Sequence, residues 1–538
     1  MNAPSKPWSR HLPTGAWDYI VIGSGMGGMV AAAMLAKLGR KVLVLEQHYV
    51  PGGFTHTFRR KAWTWDVGVH AVGEVTRHSM PGRLLAALTD GRLEWASLGR
   101  VYDEFHYPDG FRIDFPDSPQ QFHKNLLDAF PSERAAIDGY FAKVREVSGA
   151  MKGYYLSRLA PPGLLAGAAD AVLARRANAA LAQRAKAVID GLTRDRRLAC
   201  VLTSQWGYYG APPSRASFAM QALVTKHFLH GGYYPVGGSA AIAQELLTTV
   251  ADAGGHTVIH ADVAQILVED GAVTGVALTD GRTIRAPRIV SAAGVASTVT
   301  RLLPAAYAQA PWVRDVAALA PAPAHVCLYL GFRGDIRAAG ASAANKWFYE
   351  QWSSEDEAWQ VDGADPLPLP PAPVLYCSFP SLKDPKHDPT PDQLHTGEVV
   401  TFVPWETFAP YRDLQWRKRG AEYEALKRRI HERLLEQLLS YIPGLRDKVA
   451  YAELSTPVST HHFVRPMNGS IYGLAPTPER FALAALRPRA PIDGLFFAGS
   501  EVATVGVIGA AMGGVLAAVS AEPVRGMKYL STATRRGV

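Results

Sequence analysis

The sequence contains little cysteine, and the little that it has is widely spaced. Its 538 residues include only Cys200, Cys327 and Cys377, and none of them belongs to a CxxC pair. This pattern excludes a disulfide framework and offers no metal-binding spacing, so we expect a reducing compartment and no bound metal. Residues 1–16 are polar and contain proline but no apolar run. We therefore expect no signal peptide and predict a cytoplasmic location.

Long hydrophobic runs are also scarce. Residues 503–521 form one uncharged stretch of the length that a membrane span needs. The stretch is rich in glycine and alanine and directly follows a strand-like segment, which is typical of a helix buried inside a protein. We therefore predict a buried helix here and no transmembrane span.

The net charge of +8 is scattered along the chain, and no basic run is interleaved with aromatic residues. We therefore expect no nucleic-acid partner. Basic residues are concentrated in residues 154–197, where eight lysines and arginines stand against three aspartates. Such a segment fits either peripheral contact with a membrane interface or an ordinary solvated helix face, and the sequence leaves both interpretations open.

What the sequence does contain is a complete nucleotide-binding unit between Asp18 and Glu46. A short apolar strand leads into Gly23-x-Gly25-x-x-Gly28, an alanine-rich helix follows, and a second apolar strand ends at Glu46. The glycines permit a tight turn, close approach of a pyrophosphate and close packing of helix on strand. The helix N-terminus attracts the phosphates, while the carboxylate accepts ribose hydroxyls and repels a 2′-phosphate. The unit predicts a dinucleotide site that does not hold NADP tightly.

The rest of the chain alternates between nucleotide-type and other segments. Residues 76–230 have mostly helical patterns, and residues 301–480 combine strands with an amphipathic helix over 423–440. Between these blocks, a glycine-rich turn opens a helix and is followed by short strands with hairpin turns. Residues from 522 onward are basic, and we expect them to be loosely ordered.

Four separated blocks together resemble one enzyme family. They are the unit from Asp18 to Glu46, the segments Gly52–Phe58 and Asp66–His70, the segment Tyr233–Ser239, and Phe497–Glu501 with the helix after it. Through these blocks the chain is similar to the FAD-dependent phytoene desaturase, carotenoid isomerase and retinol saturase family. His56, Asp66–His70 and Ser381-x-Lys383-Asp384-Pro385 make the retinol saturase and carotenoid isomerase branch the nearest one.

The resemblance implies an α/β fold, with a discontinuous Rossmann-like FAD-binding domain of the glutathione-reductase type and an α+β substrate domain. The implied division is a flexible N-terminal arm at 1–16, FAD-binding segments at 17–75, 231–300 and 481–521, substrate- and lipid-binding segments at 76–230 and 301–480, and a basic C-terminal tail at 522–538.

The resemblance also implies which residues bind FAD. The pyrophosphate would be held by Gly23, Ser24, Gly25, Gly27 and Gly28, and the adenosine half would contact Glu46 through its ribose and Val263 through its adenine. On the flavin half, Gly52 and Gly53 would lie near the ribityl chain or the ring, and Glu501 would bind a ribityl hydroxyl. Val507 and Ile508 would contact the pyrimidine edge of the flavin ring. The set is completed by Gln47, Phe54, Thr55, Ala293, Gly499 and Gly506. Family members frequently carry aspartate where this chain has Glu501, and often carry proline before the glycine of Val505-Gly506-Val507.

The implied activity is that of an FAD-dependent oxidoreductase acting on C=C bonds of an isoprenoid or polyene lipid, with an external electron donor or acceptor. We favour saturation over desaturation or cis–trans isomerisation, because the nearer branch includes the saturases. Saturation needs a proton donor, and His70, Tyr233 and Tyr234 are the candidates, although a structural role is the commoner one for His56 and His70. The alternatives are a flavin amine oxidase and a non-enzymatic prenyl-lipid-binding protein of the GDP-dissociation-inhibitor type.

We expect Gly25→Val to abolish FAD binding, because the added side chain would block the approach of the pyrophosphate to the backbone. The measurement is the flavin absorbance of the purified variant relative to its protein concentration. Full flavin occupancy in the variant would contradict the role assigned to this glycine.

Overall fold

The structure is a computed structural model that describes residues 6–355, 358–361 and 369–535. Its strands are β1 (Tyr19–Ile22), β2 (Val42–Glu46), β3 (Thr57–Arg60), β4 (Trp63–Asp66), β5 (Trp95–Ser97), β6 (Val101–His106), β7 (Arg112–Pro116), β8 (Tyr233–Pro235), β9 (His256–Ile259), β10 (Val263–Glu269), β11 (Ala272–Leu278), β12 (Thr283–Arg285), β13 (Ile289–Ser291), β14 (Ala324–Arg333), β15 (Asn345–Tyr349), β16 (Val374–Ser378), β17 (Leu394–Val403), β18 (Val449–Ser455) and β19 (Leu495–Phe497). Its α-helices are α1 (Met26–Lys37), α2 (Met80–Leu88), α3 (Pro119–Ala129), α4 (Arg134–Arg158), α5 (Leu164–Val172), α6 (Arg175–Leu181), α7 (Ala185–Asp190), α8 (Arg196–Thr203), α9 (Phe218–Phe228), α10 (Ala240–Asp252), α11 (Val295–Ser297), α12 (Pro311–Ala317), α13 (Ala421–Tyr441), α14 (Pro457–Val464), α15 (Pro478–Ala482), α16 (Gly506–Ala521) and α17 (Pro523–Ala533).

A parallel five-stranded sheet surrounds β1. Its order is β19-β13-β1-β2-β9, and every neighbouring pair is parallel. Tyr19 and Val21 of β1 pack among helices α1, α10 and α16 on one face. Ile20 and Ile22 pack on the other face, against the antiparallel strands β10, β11 and β12. Burial on both faces explains why β1 and β2 are continuous apolar runs. The predicted α/β nucleotide-binding architecture is confirmed.

Helices α1 and α16 cross in direct backbone contact. A Cβ atom on Gly514 would lie 2.3 Å from the carbonyl oxygen of Gly27, and one on Gly27 would lie 2.5 Å from the Cα atom of Gly499. Within the first nucleotide-type unit, a Cβ atom on Gly28 would lie 2.1 Å from the carbonyl oxygen of Gly23. No side chain tolerates these distances, so the close packing of α1 on β1 and on α16 requires glycine.

Helix α16 accounts for the long uncharged stretch. Nearly all of its residues are buried, which confirms the prediction of a buried helix. Over residues 6–355, 358–361 and 369–535, no helix has both the length and the apolar character that crossing a bilayer requires.

A second sheet has seven strands in the order β18-β14-β17-β16-β15-β6-β7. The strands and the amphipathic helix predicted for residues 301–480 are present as β14 to β18 and α13. Residues 76–230 are mostly helical, as predicted, but they also contain β5, β6 and β7, which the sequence pattern did not indicate. Strand β6 escaped notice because its centre is polar: Asp103 accepts a hydrogen bond from Asn345 at 2.9 Å, and Glu104 accepts one from Lys346 at 2.6 Å.

The two chain ends are more ordered than the sequence suggested. Ser9 pairs with the free edge of β9, where its N–H donates to the Thr257 carbonyl at 3.0 Å and its own carbonyl accepts from Ile259 at 2.9 Å. The basic tail forms α17, and Glu522 just before it accepts hydrogen bonds from Tyr19 at 2.8 Å and Arg40 at 2.7 Å. Among the described residues, part of the predicted arm thus pairs with the sheet and most of the predicted tail is helical. Residues 1–5 and 536–538 lie outside the described residues.

We expect Gly514→Ala to lower the apparent melting temperature, because the new methyl group would force α16 away from α1 at a cost on the order of 1–3 kcal/mol. The matched control is Gly149→Ala in α4, where a Cβ atom would meet nothing within 4 Å. That change should stabilise the protein by about 0.5–1 kcal/mol, since alanine favours the helix. Equal melting temperatures for the two variants, measured by circular dichroism, would show that the crossing tolerates a side chain.

Candidate active site

A cavity of about 270 Å³ lies at the carboxyl ends of the parallel strands. Most residues predicted to bind the cofactor line it, namely Gly23, Gly25, Gly27, Glu46, Gln47, Gly52, Gly53, Phe54, Thr55, Val263, Ala293, Gly499, Glu501, Gly506 and Val507. Ser24, Gly28 and Ile508 do not line it. We call this space the nucleotide cavity. Its position is the one at which parallel α/β sheets bind ligands.

The first turn of α1 faces the nucleotide cavity with nothing in front of it. Gly25 caps the helix in an extended conformation, and a Cβ atom there would meet no atom within 4 Å. The first N–H groups of a helix have no partner inside the helix, and they carry the positive end of its dipole. An open backbone cradle of this kind fits a pyrophosphate.

Glu46 is held rigidly at the tip of β2. Its Oε2 atom accepts hydrogen bonds from the Ser24 N–H at 2.9 Å and the Ser24 hydroxyl at 2.6 Å, and its Oε1 atom accepts one from the His48 N–H at 2.8 Å. Ser24 is fully buried and therefore orients Glu46 instead of lining the cavity. Gly28 likewise serves packing, as described above. The carboxylate is thus presented in a fixed position that suits ribose hydroxyls.

The far end of the nucleotide cavity is also built from buried polar contacts. Glu501 is 7% exposed and accepts hydrogen bonds from the N–H groups of Ala296 at 3.0 Å and Leu474 at 3.2 Å. On the Glu46 side, where the Glu46 carbonyl accepts a hydrogen bond from the Ala261 N–H at 2.8 Å, the partly exposed Asp262 and Arg465 form an ion pair at 2.7 Å beside Val263. Arg465 also lines the cavity, and no local motif in its sequence neighbourhood indicates that position.

A second cavity of about 150 Å³ adjoins the nucleotide cavity. The two cavities share Gly68, Tyr472, Gly506 and Val507, and Ile508 lines the second one. Most of its remaining wall is aromatic or aliphatic, including Tyr155, Tyr208, Tyr209, Met220, Leu223 and Phe228. We call this space the apolar cavity. It suits an uncharged hydrophobic ligand placed against whatever fills the nucleotide cavity.

His70 lines the apolar cavity and has a buried acid as its partner. Its Nδ1 atom lies 2.8 Å from Oε2 of Glu398, a close contact without hydrogen-bond geometry, and neither atom has a hydrogen-bond partner among the described residues. Burial and the nearby Lys383 lower the pKa of His70 to about 3, and burial raises the pKa of Glu398 well above its ordinary value. Both pKa shifts favour the uncharged forms, so a neutral imidazole and a neutral carboxylic acid lie in contact beside the apolar cavity.

Lys383 extends this polar cluster. Its ammonium, 4% exposed, donates to the His70 carbonyl at 2.7 Å, to Ser378 at 2.7 Å and to Asn345. Burial lowers the pKa of Lys383 to about 7. Lys383 belongs to the Ser381–Pro385 segment, through which the chain resembles the saturase and isomerase branch, but the sequence alone indicates no role for it. The structure shows that it fixes the backbone of His70.

The same network reaches a second residue of the apolar cavity. Asn345 donates to Asp103 at 2.9 Å, and the hydroxyl of Tyr208 donates to the same carboxylate at 2.8 Å. Burial raises the pKa of Asp103 to about 6. Hydrogen bonds therefore connect Lys383, beneath His70, to Tyr208 across the cavity.

The two tyrosine candidates lie elsewhere. The hydroxyl of Tyr234 donates to Asp66, a buried carboxylate that also accepts from Ser239 and whose pKa burial raises to about 6. The hydroxyl of Tyr233 donates to the His230 carbonyl at 3.2 Å. Neither tyrosine lines the nucleotide or the apolar cavity. The geometry therefore argues against both as proton donors.

His56 has the structural role that was the commoner expectation. Its Nδ1 atom contacts the Gly53 carbonyl, and burial lowers the pKa of this imidazole to about 4. A neutral ring that donates to Gly53 fixes the glycine pair at the wall of the nucleotide cavity.

Known proteins match the chain over nearly its whole length. The family model described as flavin containing amine oxidoreductase matches residues 26–521. All-trans-retinol 13,14-reductase of Homo sapiens is 30% identical, with 93% of this chain and 84% of the relative covered. Chloroplastic prolycopene isomerase of Arabidopsis thaliana is 26% identical, with 93% and 82% covered. Cyclohexylamine oxidase from Brevibacterium oxydans shares the fold, with a TM-score of 0.60 at 18% identity over 96% of this chain and 99% of that one.

A parallel nucleotide-binding sheet, an open cradle at a helix N-terminus and an adjoining apolar cavity define a flavin-dependent oxidoreductase. The chain belongs to the family of flavin-containing amine oxidoreductases. Its similarity to retinol reductases and prolycopene isomerases confirms the branch that the sequence blocks indicated.

We expect Glu46→Gln to weaken flavin binding about ten- to a hundredfold, because hydrogen bonds to a charged group contribute about 1.5–3 kcal/mol. The dissociation constant can be measured by adding FAD to the apoprotein and following the quenching of flavin fluorescence. Asp280→Asn, in an exposed hairpin, is the control and should leave it unchanged. An unchanged constant for Glu46→Gln would remove the carboxylate from the cofactor site.

Proposed function

We propose that the protein is an FAD-dependent reductase that saturates a C=C bond of a polyene lipid. The observation that carries the proposal is the apolar cavity with its His70–Glu398 pair, placed directly against the nucleotide cavity. Residues 17–75, 231–300 and 481–521 would form the FAD-binding domain, and the other large segments would enclose the substrate. FAD rather than a mononucleotide is supported by the two ends of the nucleotide cavity, with Glu46 and Val263 at one and Glu501 and Val507 at the other.

The wall of the apolar cavity supports an uncharged substrate. Among the described residues, Glu74 is the one carboxylate in this wall; it forms an ion pair with Lys226, and the Nδ1 atom of His227 lies 3.5 Å from it. Among the four residues shared with the nucleotide cavity, Tyr472 is aromatic and the other three are Gly68, Gly506 and Val507. These features favour a polyene over the amine-oxidase alternative.

The names of the relatives support the same substrate class. One is a retinol reductase and another a prolycopene isomerase, and both names denote conjugated isoprenoids. We favour reduction because the reductase is the more similar of the two. Membership in a flavin oxidoreductase family also argues against the flavin-free prenyl-binding alternative.

Saturation of a C=C bond adds a hydride to one carbon and a proton to the other. Bound flavin, once reduced, supplies the hydride chemistry. His70 would supply the proton from Nε2 and take up the proton of Glu398 at Nδ1, which leaves Glu398 as a carboxylate near the Lys383 side chain. Lys383 holds the His70 backbone in place during this transfer.

The proposal includes an external electron donor, because the chain carries a single dinucleotide motif. It also includes a cytoplasmic location, which is supported by three cysteines that are buried as free thiols.

The proposed function can be tested by reducing the bound flavin anaerobically and adding all-trans-retinol or a carotenoid. Flavin absorbance and product mass are recorded together. We expect flavin reoxidation with a product two hydrogens heavier. An isomer of unchanged mass with the flavin still reduced would identify an isomerase, and peroxide release on adding amines in air would identify an amine oxidase. Either result would overturn the reductase assignment.

We expect His70→Gln to lower the rate of saturation about 10²- to 10⁴-fold, because general acid catalysis typically contributes that much. Flavin content and flavin reduction by dithionite should be unchanged. Tyr233→Phe is the comparison and should react as the parent protein does. A slow Tyr233→Phe together with a normal His70→Gln would reverse the assignment.

The rate of saturation should fall as the pH rises through the raised pKa of Glu398, because the deprotonated carboxylate has no proton to return to His70. Glu398→Gln supplies no proton at any pH, so this variant should be slow and should lack the alkaline decline. The measurement is kcat against pH with pre-reduced flavin. An alkaline decline that persists in Glu398→Gln would point to a different titrating group.

A further inference from the structure

Helix α5 has the reverse of the usual orientation, with its charged residue facing the protein and its large apolar residues facing solvent. Its one charged residue, Asp170, points inward and contacts the guanidinium of Arg487, which is 1% exposed. Its large apolar residues point outward: Leu164 is 95% exposed, Leu165 66% and Val172 78%, and Leu173 just after the helix is 49% exposed. We call these four residues, with Leu156 on α4, the α5 face. A face of this kind is unfavourable in water and signals another environment.

The α5 face is fixed in its orientation. Besides contacting Asp170, Arg487 donates a hydrogen bond to the Ser157 carbonyl at 2.7 Å. A Cβ atom on Gly153 of α4 would lie 2.0 Å from the Leu173 carbonyl oxygen, so the end of α5 rests directly on the α4 backbone. Turning the leucines inward would leave Arg487 buried without its acid, which is strongly unfavourable. The exposed leucines are therefore a stable feature of the surface.

The charged residues that flank α5 in the sequence are basic. Arg175 and Arg176 follow it and are exposed, and Lys152 lies one helical turn before Leu156. Within residues 152–176 of the sequence, Asp170 is the only acidic residue, and it forms an ion pair with Arg487. We propose that the α5 face docks the protein on an anionic lipid bilayer, with the leucines entering the interface and the arginines contacting lipid headgroups.

The α5 face lies close to the apolar cavity. Tyr155 lines that cavity, and its chain neighbour Leu156 belongs to the α5 face. Resting on the proposed function, this arrangement would bring the bilayer that supplies a polyene close to the cavity that receives it. The dock itself depends only on the α5 face and its charges, so it can be tested without turnover.

The test is flotation of the holoprotein with phosphatidylcholine vesicles, with and without phosphatidylserine. We expect binding to vesicles that contain phosphatidylserine, weakened at least about tenfold by the double change Leu164→Glu and Leu165→Glu. The double change Arg175→Glu and Arg176→Glu should remove the preference for phosphatidylserine. Leu414→Glu, at an apolar residue that is 45% exposed elsewhere, is the matched control and should bind as the parent does.

Two results would overturn the proposal that the α5 face binds a bilayer. One is vesicle binding that the double leucine change leaves intact. The other is a parent protein that ignores vesicles but is a dimer in light scattering and becomes monomeric in that variant, which would make the α5 face a contact between copies. Turnover of a detergent-dispersed polyene separates the two proposals, because the leucine variant should turn over as the parent does. Vesicle binding as expected with no turnover in either protein would reject the proposed function and keep the dock.

Discussion

The site depends on the contact between backbones where α1 meets α16. Because Gly27 and Gly514 carry no side chains, the two helices approach closely enough to begin at the same cavity. One helix begins at Gly25 and the other at Gly506, and both N-termini border the nucleotide cavity. A methyl group at the crossing would separate the very groups that a dinucleotide needs together. Close packing and cofactor binding are therefore one requirement on the same glycines.

The second determinant is a group of ionisable side chains held without water. Asp66, His70, Lys383 and Glu398 are all buried or nearly so, and each has a pKa displaced toward its neutral form. Burying an ion typically costs several kcal/mol of folding free energy, so a cluster of buried ionisable groups is not explained by a contribution to stability. Displaced pKa values grouped beside a cavity are characteristic of sites that move protons. The apolar wall around the cluster keeps these displacements in place by excluding water.

Sequence reasoning succeeded where the signal is local. The unit from Asp18 to Glu46 encodes its strand, turn, helix and acid within one short segment, and the structure reproduces each of them. It failed where partners are distant in the chain. His70 had no visible partner because Glu398 lies on β17, and β6 was hidden because Asp103 is satisfied by Asn345 from another strand. Ser24 was assigned to the pyrophosphate because its motif position suggested it, whereas side-chain burial turned it toward Glu46.

The four residues shared by the two cavities have a consequence for how this protein should be studied. Within the part of the chain that the structure describes, Gly68, Tyr472, Gly506 and Val507 are the wall common to both spaces, so whatever fills one space becomes part of the boundary of the other. In the apoprotein, a small molecule at this boundary can therefore contact the walls of both cavities. Ligand screens and inhibitor design carried out without cofactor would select compounds that straddle the boundary. Such compounds would compete with flavin and reveal nothing about lipid selectivity.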